Sequence, residues 1–480
     1  MTFKHFLTAC FLFTSHCYAQ DFRDRYERFQ QQSKQEYSSF RDECNKKYVQ
    51  FLREAWDWYE GNAPLPLPKE RTPIPPRPYE EDNQKPTVTE PVNVNPIEDV
   101  PQPKPIEPIY EKPSPQDDYF SVDFFGVPCR VRLPQMARLK VNDCSPNAIA
   151  DAWETLCTDE MDNAIRDCLE TRVVYDLCDW AYLLFLHELC ERFCQNANGA
   201  TLLMAFLYCQ SGYQMRLAAD GGKLVMLYGS RHIIYNNIYY TIDGTNFYPF
   251  EEPTNAIQIC NGAFENEKPM SLFINAEQKL GTSLSDKRTI KSGRYTDVVA
   301  TSQVPKNLID FYSTYPTSEL DGNPLTRWAM YANVPLAKVT QDVLYPALKK
   351  AIDGCSEDVA ANKLLNWVQT GFVYEYDDKV WGCDRAFFAE ETLYYPYCDC
   401  EDRSILFSRL VRDLLHLDVA LVYYPGHLAT AVCFNNDIDG DAMIINGRKF
   451  IVCDPTYIGA PIGAQMPNLD HSKAQAIMLK

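Results

Sequence analysis

Between residues 61 and 116 the chain places 16 of its 32 prolines, mixed with Glu, Lys and Gln. Proline fixes φ and removes a backbone donor, so such a stretch builds neither a helix nor the middle of a sheet. It is expected to run extended as a semi-rigid spacer, dividing the chain into an N-terminal arm and a globular body. Before the spacer, Phe22, Tyr26, Phe29, Tyr37, Phe40, Cys44, Tyr48, Phe51 and Ala55 recur at mostly three- and four-residue steps. That spacing predicts an amphipathic helix within 20–60. The simpler expectation for its aromatic stripe is packing on the body or self-association, ahead of a dedicated partner.

Residues 1–19 read as a secretory signal: Lys4 and His5, an apolar run from Phe6 to Phe13, then Cys17-Tyr18-Ala19. The apolar core is too short to span a bilayer, and no later run approaches transmembrane length. Export to periplasm, cell envelope or medium is expected. Removing Cys10 and Cys17 from 18 cysteines leaves 18 − 2 = 16 in an oxidising compartment, where disulfides can form in a connectivity the sequence does not fix. Zinc-type Cys/His spacing is missing, so neither a structural metal nor a cofactor is expected. A formal charge of −19 argues against nucleic acid as a partner.

The chemistry concentrates in the last quarter. Tyr397-Cys398-Asp399-Cys400-Glu401-Asp402-Arg403-Ser404 precedes Ile405, Leu406, Leu410, Val411, Leu414 and Leu415 at helical spacing, with Arg403, Arg409 and Arg412 left to face solvent. Cys400 thus falls at a helix start, where unpaired N–H groups favour thiolate. Residues 420–434 read as strand, turn and strand with Pro425-Gly426-His427 at the bend, and 449–454 as a strand ending in Asp454. In that order the His takes the thiol proton and the Asp orients it. Cys-Asp-Cys-Glu-Asp-Arg-Ser, Pro-Gly-His and Cys-Asp-Pro-Thr-Tyr together resemble the transglutaminase-like superfamily, relatives of the papain fold. The resemblance implies Cys400 as nucleophile, His427 as base and Asp454 as third member. Cys398 is the rival thiol, as a disulfide partner or redox guard, and the family pattern favours Cys400.

A divergent internal repeat extends the resemblance over the body. Residues 179–185 parallel 366–372, 200–207 parallel 403–410, 227–232 parallel 422–427, and 239–245 parallel 450–456. Ala197 falls where Cys400 stands, while His232 and Asp243 remain, so the first copy is expected to be a degenerate scaffold or substrate-binding partner. The implied organisation is a degenerate transglutaminase-like domain over 117–265, a β-rich connection over 266–330 with strand-like runs at 270–274 and 295–300, and a catalytic domain over 331–480. The last opens with helices on either side of Gly354. An aromatic insertion, 374–397, offers Trp381, Tyr394 and Tyr395 either as a cleft wall or as core cover. Asn435 to Asp441 begins like a calcium loop, but position twelve is Asn446, so a solvated hairpin turn is expected.

The sequence therefore predicts an exported α+β protein of two transglutaminase-like (papain-like) domains, helices on antiparallel sheet. It would be a thiol acyl-transfer enzyme for a peptide or protein substrate, first by hydrolysis, second by cross-linking. From another class, a non-catalytic cell-envelope scaffold is the alternative.

Overall fold

A computed structural model describes residues 41–68, 73–81, 85–96, 119–254 and 256–480. The secretory signal expected over 1–19 lies outside them, as do residues 20–40 of the expected N-terminal helix. The fold is mixed α+β, and no helix among the described residues is long and apolar enough to cross a membrane.

The described part of the N-terminal helix spans 41–53. Tyr48 and Leu52 are buried, and the Tyr48 ring stacks 4.5 Å from Phe264 and lies 4.8 Å from Trp153. Arg41 pairs with Asp159 and Asp162 of the body. Of the stripe's described members, Tyr48 packs in the core and Cys44 is half-buried, while Phe51 and Ala55 are exposed.

Each half of the body lays a buried helix on an antiparallel sheet, with a second helix behind it. In the first half these are Ala197–Gln210 and Asp179–Phe193; in the second, Cys400–Leu415 and Glu357–Gly371. The first sheet, edged by Asp57–Tyr59 from the N-terminal arm, continues in the order Ile257–Ile259, Met215–Asp220, Lys223–Ser230, Thr245–Pro249, Tyr240–Ile242. The second runs Gln475–Met478, Asp418–Tyr424, His427–Cys433, Arg448–Cys453, Ala442–Ile445. Strand for strand, the connectivity is the same. The internal repeat is thus visible in topology, although the pattern match within it slips. His427 opens its strand, but His232 lies beyond the far end of the corresponding strand, whose first residue is Lys223. Asp454 follows its strand, whereas Asp243 sits in the turn before the matching one, at φ 49°. His232 accepts the Leu272 N–H at 3.2 Å, and burial pushes its ring down to about 3. None of the three site residues has an equivalent in the first half.

The prolines do not keep the spacer off the body. Arg77–Pro78 pairs in parallel with Tyr457–Ile458, Val88–Thr89 with Ala442–Met443, and Val92–Val94 with Gln475–Ile477. An edge strand needs donors on one side only, so prolines that flank or terminate such short pairings are tolerated. Val88–Thr89 and Val92–Val94 cap opposite edges of one sheet. Only Glu90 and Pro91 separate them, and at 3.8 Å between Cα atoms those edges lie within about 11 Å of each other. The sheet is curled until its margins meet, and Asn93 Nδ2 donates to Asn446 Oδ1 at 2.9 Å across the seam. Inside the curl sit Val422, Ala431, Met443, Phe450, Val452 and Met466; Leu421, Leu428 and Ile451 on the other face meet the helices.

Other expectations shift. Helices Lys338–Ile352 and Glu357–Gly371 flank Gly354, which takes φ 70°. Of the connecting segment's strand-like runs, 270–274 makes only an isolated bridge, and 295–300 is mostly turn, with only Val299 and Ala300 entering the strand Val299–Ser302 that pairs with Arg288–Lys291; Ser318–Leu320 and helices Lys306–Tyr312 and Thr326–Ala332 also belong to the segment. Asn435 to Asp441 is not a hairpin turn. It links His427–Cys433 to Ala442–Ile445, between which Arg448–Cys453 is inserted.

Glu390 joins the insertion to the first of these helices, its Oε1 accepting the Ala337 N–H at 2.6 Å. Burial pushes its carboxyl up to about 8, against an unfolded value of about 4.3. A raised carboxyl favours folding where it stays protonated, so this contribution is present below about pH 4 and lost as pH rises towards 8. Glu390→Gln, neutral throughout, should flatten the thermal midpoint's pH dependence and raise it at pH 8 by about 3 °C. Melting curves at several pH values check this.

Candidate active site

The site is assembled from a helix start, a hairpin turn and a strand end. Cys400 is the first residue of Cys400–Leu415, with Asp399 as N-cap. Asp402, one turn in, accepts the Asp399 N–H at 3.1 Å through Oδ2 and the Phe387 N–H at 2.8 Å through Oδ1. It thereby fixes both the helix start and the insertion beside it. Ser404 Oγ donates to the Leu428 carbonyl at 2.9 Å, tying this helix to the strand that carries His427. That strand begins after Pro425-Gly426, where Gly426 takes φ 86°, as the third position of a type II turn requires.

His427 and Asp454 meet: Nε2 and Oδ2 are 2.8 Å apart, both side chains buried. Asp454 Oδ1 accepts the Thr456 N–H at 2.8 Å and the Tyr457 N–H at 3.3 Å. The other ring nitrogen of His427, Nδ1, is buried without a hydrogen-bond partner. The Cys400 sulfur sits by the backbone N–H of Leu428, the residue after His427, and donates to Glu401 Oε2 at 3.0 Å. Cys398 lies in a separate environment, its Sγ 3.8 Å from the Val373 carbonyl, with burial pushing its thiol up to about 11. All sixteen cysteines of the described residues are unpaired thiols, so Cys398 and Cys400 are not bridged.

The expected thiolate is not what this environment favours. Burial, then Glu401 and Asp399, push the Cys400 thiol well above its ordinary value. Cys400 is only 6% exposed, and two carboxylates flank it in sequence and space. The partial charge of a helix terminus, worth roughly 1 kcal/mol, does not outweigh them.

Two side chains that hold the site escaped the sequence reading. Arg403, assigned there to solvent, is 1% exposed and donates to the carbonyls of Gln369 at 3.1 Å and Phe372 at 2.9 Å. It satisfies the end of helix Glu357–Gly371, where carbonyls lack helical partners and carry partial negative charge. Arg412 is likewise turned inward, donating to the carbonyls of Ser408 and Ala332. Gln369 Nε2 donates to the carbonyls of Asp454 (3.0 Å), Tyr457 (2.8 Å) and Ala460 (3.1 Å), and its Oε1 accepts the Gly459 N–H at 3.1 Å. A Gln on a helix has no sequence signature for this; the sign available was a polar residue on an otherwise apolar helix face. Of the insertion's aromatics, Trp381 packs on Tyr395 at 4.9 Å with Arg385 over its ring, while Tyr394 is exposed.

Gln369→Ala should cost about 2 kcal/mol in urea unfolding, because buried carbonyls of the Asp454 loop lose their donor. It should also weaken His427's influence on the reactivity of Cys400, as chemical labelling would show. No family model, no curated protein and no solved structure matches this chain.

Proposed function

We propose that this chain is a transglutaminase-like cysteine enzyme that hydrolyses peptide or side-chain amides, with Cys400 as nucleophile, His427 as base and Asp454 as orienter. The observation that carries the reading is the buried 2.8 Å bond from His427 Nε2 to Asp454, which leaves Nδ1 as the unpartnered nitrogen on the strand beside the Cys400 sulfur. With Nε2–H donated to Asp454, Nδ1 keeps its lone pair for the thiol proton. The sulfur then attacks the amide carbon and the C–N bond breaks. The proton on His427 passes to the departing amine, leaving a thioester on Cys400. Water, deprotonated by His427, attacks that thioester, releasing a carboxylic acid and restoring the thiol. An amine in place of water would give cross-linking. The half without counterparts of these residues serves as scaffold, and the pattern over residues 1–19 supports export.

A second reading has its own observation. Cys400 is buried, and that burial, with Glu401 and Asp399 beside it, pushes its thiol well above the ordinary value, as would suit a non-catalytic scaffold. Iodoacetamide labelling of the protein, mapped by mass spectrometry, separates the two. The enzyme reading expects modification at Cys400 that Cys400→Ala abolishes and that His427→Ala slows tenfold or more. A Cys400 labelling rate indifferent to His427, in a variant that melts like the parent, would leave the scaffold.

A further inference from the structure

Around the start of helix Cys400–Leu415 the chain gathers more negative charge than a thiol site needs. Asp377 comes from the short helix Asp377–Val380, Asp384 from the loop that follows, and Asp399, Glu401 and Asp402 from the helix start. Three overlapping sets of these groups, Asp377/Asp384/Glu401, Asp377/Asp399/Asp402 and Asp399/Cys400/Glu401, each place their ligating atoms within 4.8 Å of one another.

The oxygens divide by what already holds them. Asp402 spends both on backbone N–H groups, and Asp377 Oδ2 accepts the Arg385 N–H at 2.6 Å. Asp399 Oδ1 is different. It belongs to a residue 8% exposed that stands in two of the three clusters, and it has no hydrogen-bond partner. Of the nearby guanidinium groups, Arg385 is committed to Glu391 and Arg403 to main-chain carbonyls, while Arg327 reaches one member of the group, its Nη2 3.6 Å from Asp384 Oδ2. A buried carboxylate oxygen with no donor, among like charges, is the arrangement a cation completes.

We infer that Asp377, Asp384, Asp399 and Glu401 form a binding site for a hard divalent cation of the calcium class, set directly against Cys400. The donors are carboxylate oxygens drawn from two segments, Asp377 and Asp384 from one and Asp399 and Glu401 from the other, an irregular all-oxygen set that suits the larger, geometrically tolerant Ca2+ better than Mg2+ with its strict octahedron. Asp402 supports the site from behind, locking the helix start to Phe387. An ion here draws the Glu401 carboxylate towards itself and away from the sulfur it now accepts from, and pins the aromatic insertion to the nucleophile helix. The acidic stretch at 435–441 is a separate matter, since Asp437 there pairs with Lys449. The inference stands on the carboxylates alone and holds whether or not Cys400 is catalytic.

The test uses the full chain, stripped of metal with a chelator and titrated with CaCl2 and, separately, MgCl2 by isothermal titration calorimetry and thermal melting. One Ca2+ per chain is expected, with a raised melting temperature and a weaker Mg2+ response. Binding should weaken at least tenfold in Asp399→Asn and in Asp384→Asn, and stay unchanged in Asp437→Asn. Asp384 is the more exposed ligand, so its variant keeps the test open if Asp399→Asn fails to fold. Folded parent protein that gives no saturable Ca2+ heat, or binding unaltered in a folded Asp384→Asn, overturns the inference.

Discussion

The candidate site rests on the C-terminal turn of one helix. Glu357–Gly371 contributes no reacting atom, yet its end is where the other pieces are fastened. Arg403 reaches back from the nucleophile helix to cover its free carbonyls, and Gln369 reaches forward to hold the Asp454 loop by three carbonyls and one amide. Both interactions are buried, where a lost partner costs the full desolvation of what remains. Because each uses main chain on one side, the geometry depends on where the backbone runs, and side-chain rotation does little to relax it. Ser404 adds the third tie, to the strand of His427.

Electrostatically, the site is divided between two regimes. His427 and Asp454 form a self-contained, buried hydrogen-bonded pair. Cys400 instead belongs to an acidic cluster: Asp399 and Asp402 are pushed well up by burial and by their neighbours, and Asp377 up to about 8. In low dielectric, like charges this close cannot all persist, so protons or a cation must balance them. The thiol is therefore governed by its carboxylate neighbours more than by the helix it starts.

What the sequence revealed follows from how local each feature is. The helix beginning at Cys400, the Pro425-Gly426 turn and the strand ending at Cys453 are written in short-range periodicity and turn chemistry, and they fall where that predicts. The meeting of His427 and Asp454 was an expectation of the family resemblance carried by the Pro-Gly-His and Cys-Asp-Pro-Thr-Tyr motifs. The repeat was legible in its helices, since Ala197 and Cys400 open equivalent elements. It misled in its strands, where alternation has a period of two and a pattern match slides easily, carrying His232 and Asp243 out of register. Arg403, Gln369 and the convergence of Asp377 with Asp399 depend on segments brought together only by the fold. The Val88–Val94 pairings were masked by composition: prolines rightly exclude a sheet interior, but say nothing against an edge.

That short segment also sets an order of events. Its partners Ala442–Met443 and Gln475–Ile477 are made some 350 to 390 residues after it, so during synthesis the strand emerges long before anything exists for it to pair with. The second sheet can form its hairpins as they appear, but its margins stay open until the last partner strand arrives. Closing them brings together residues of very large sequence separation, the kind of contact that is slow because its loop entropy is spent before any reward. Until then the half that carries His427 and Asp454 is an unsealed sheet with two sticky edges, open to pairing with other chains.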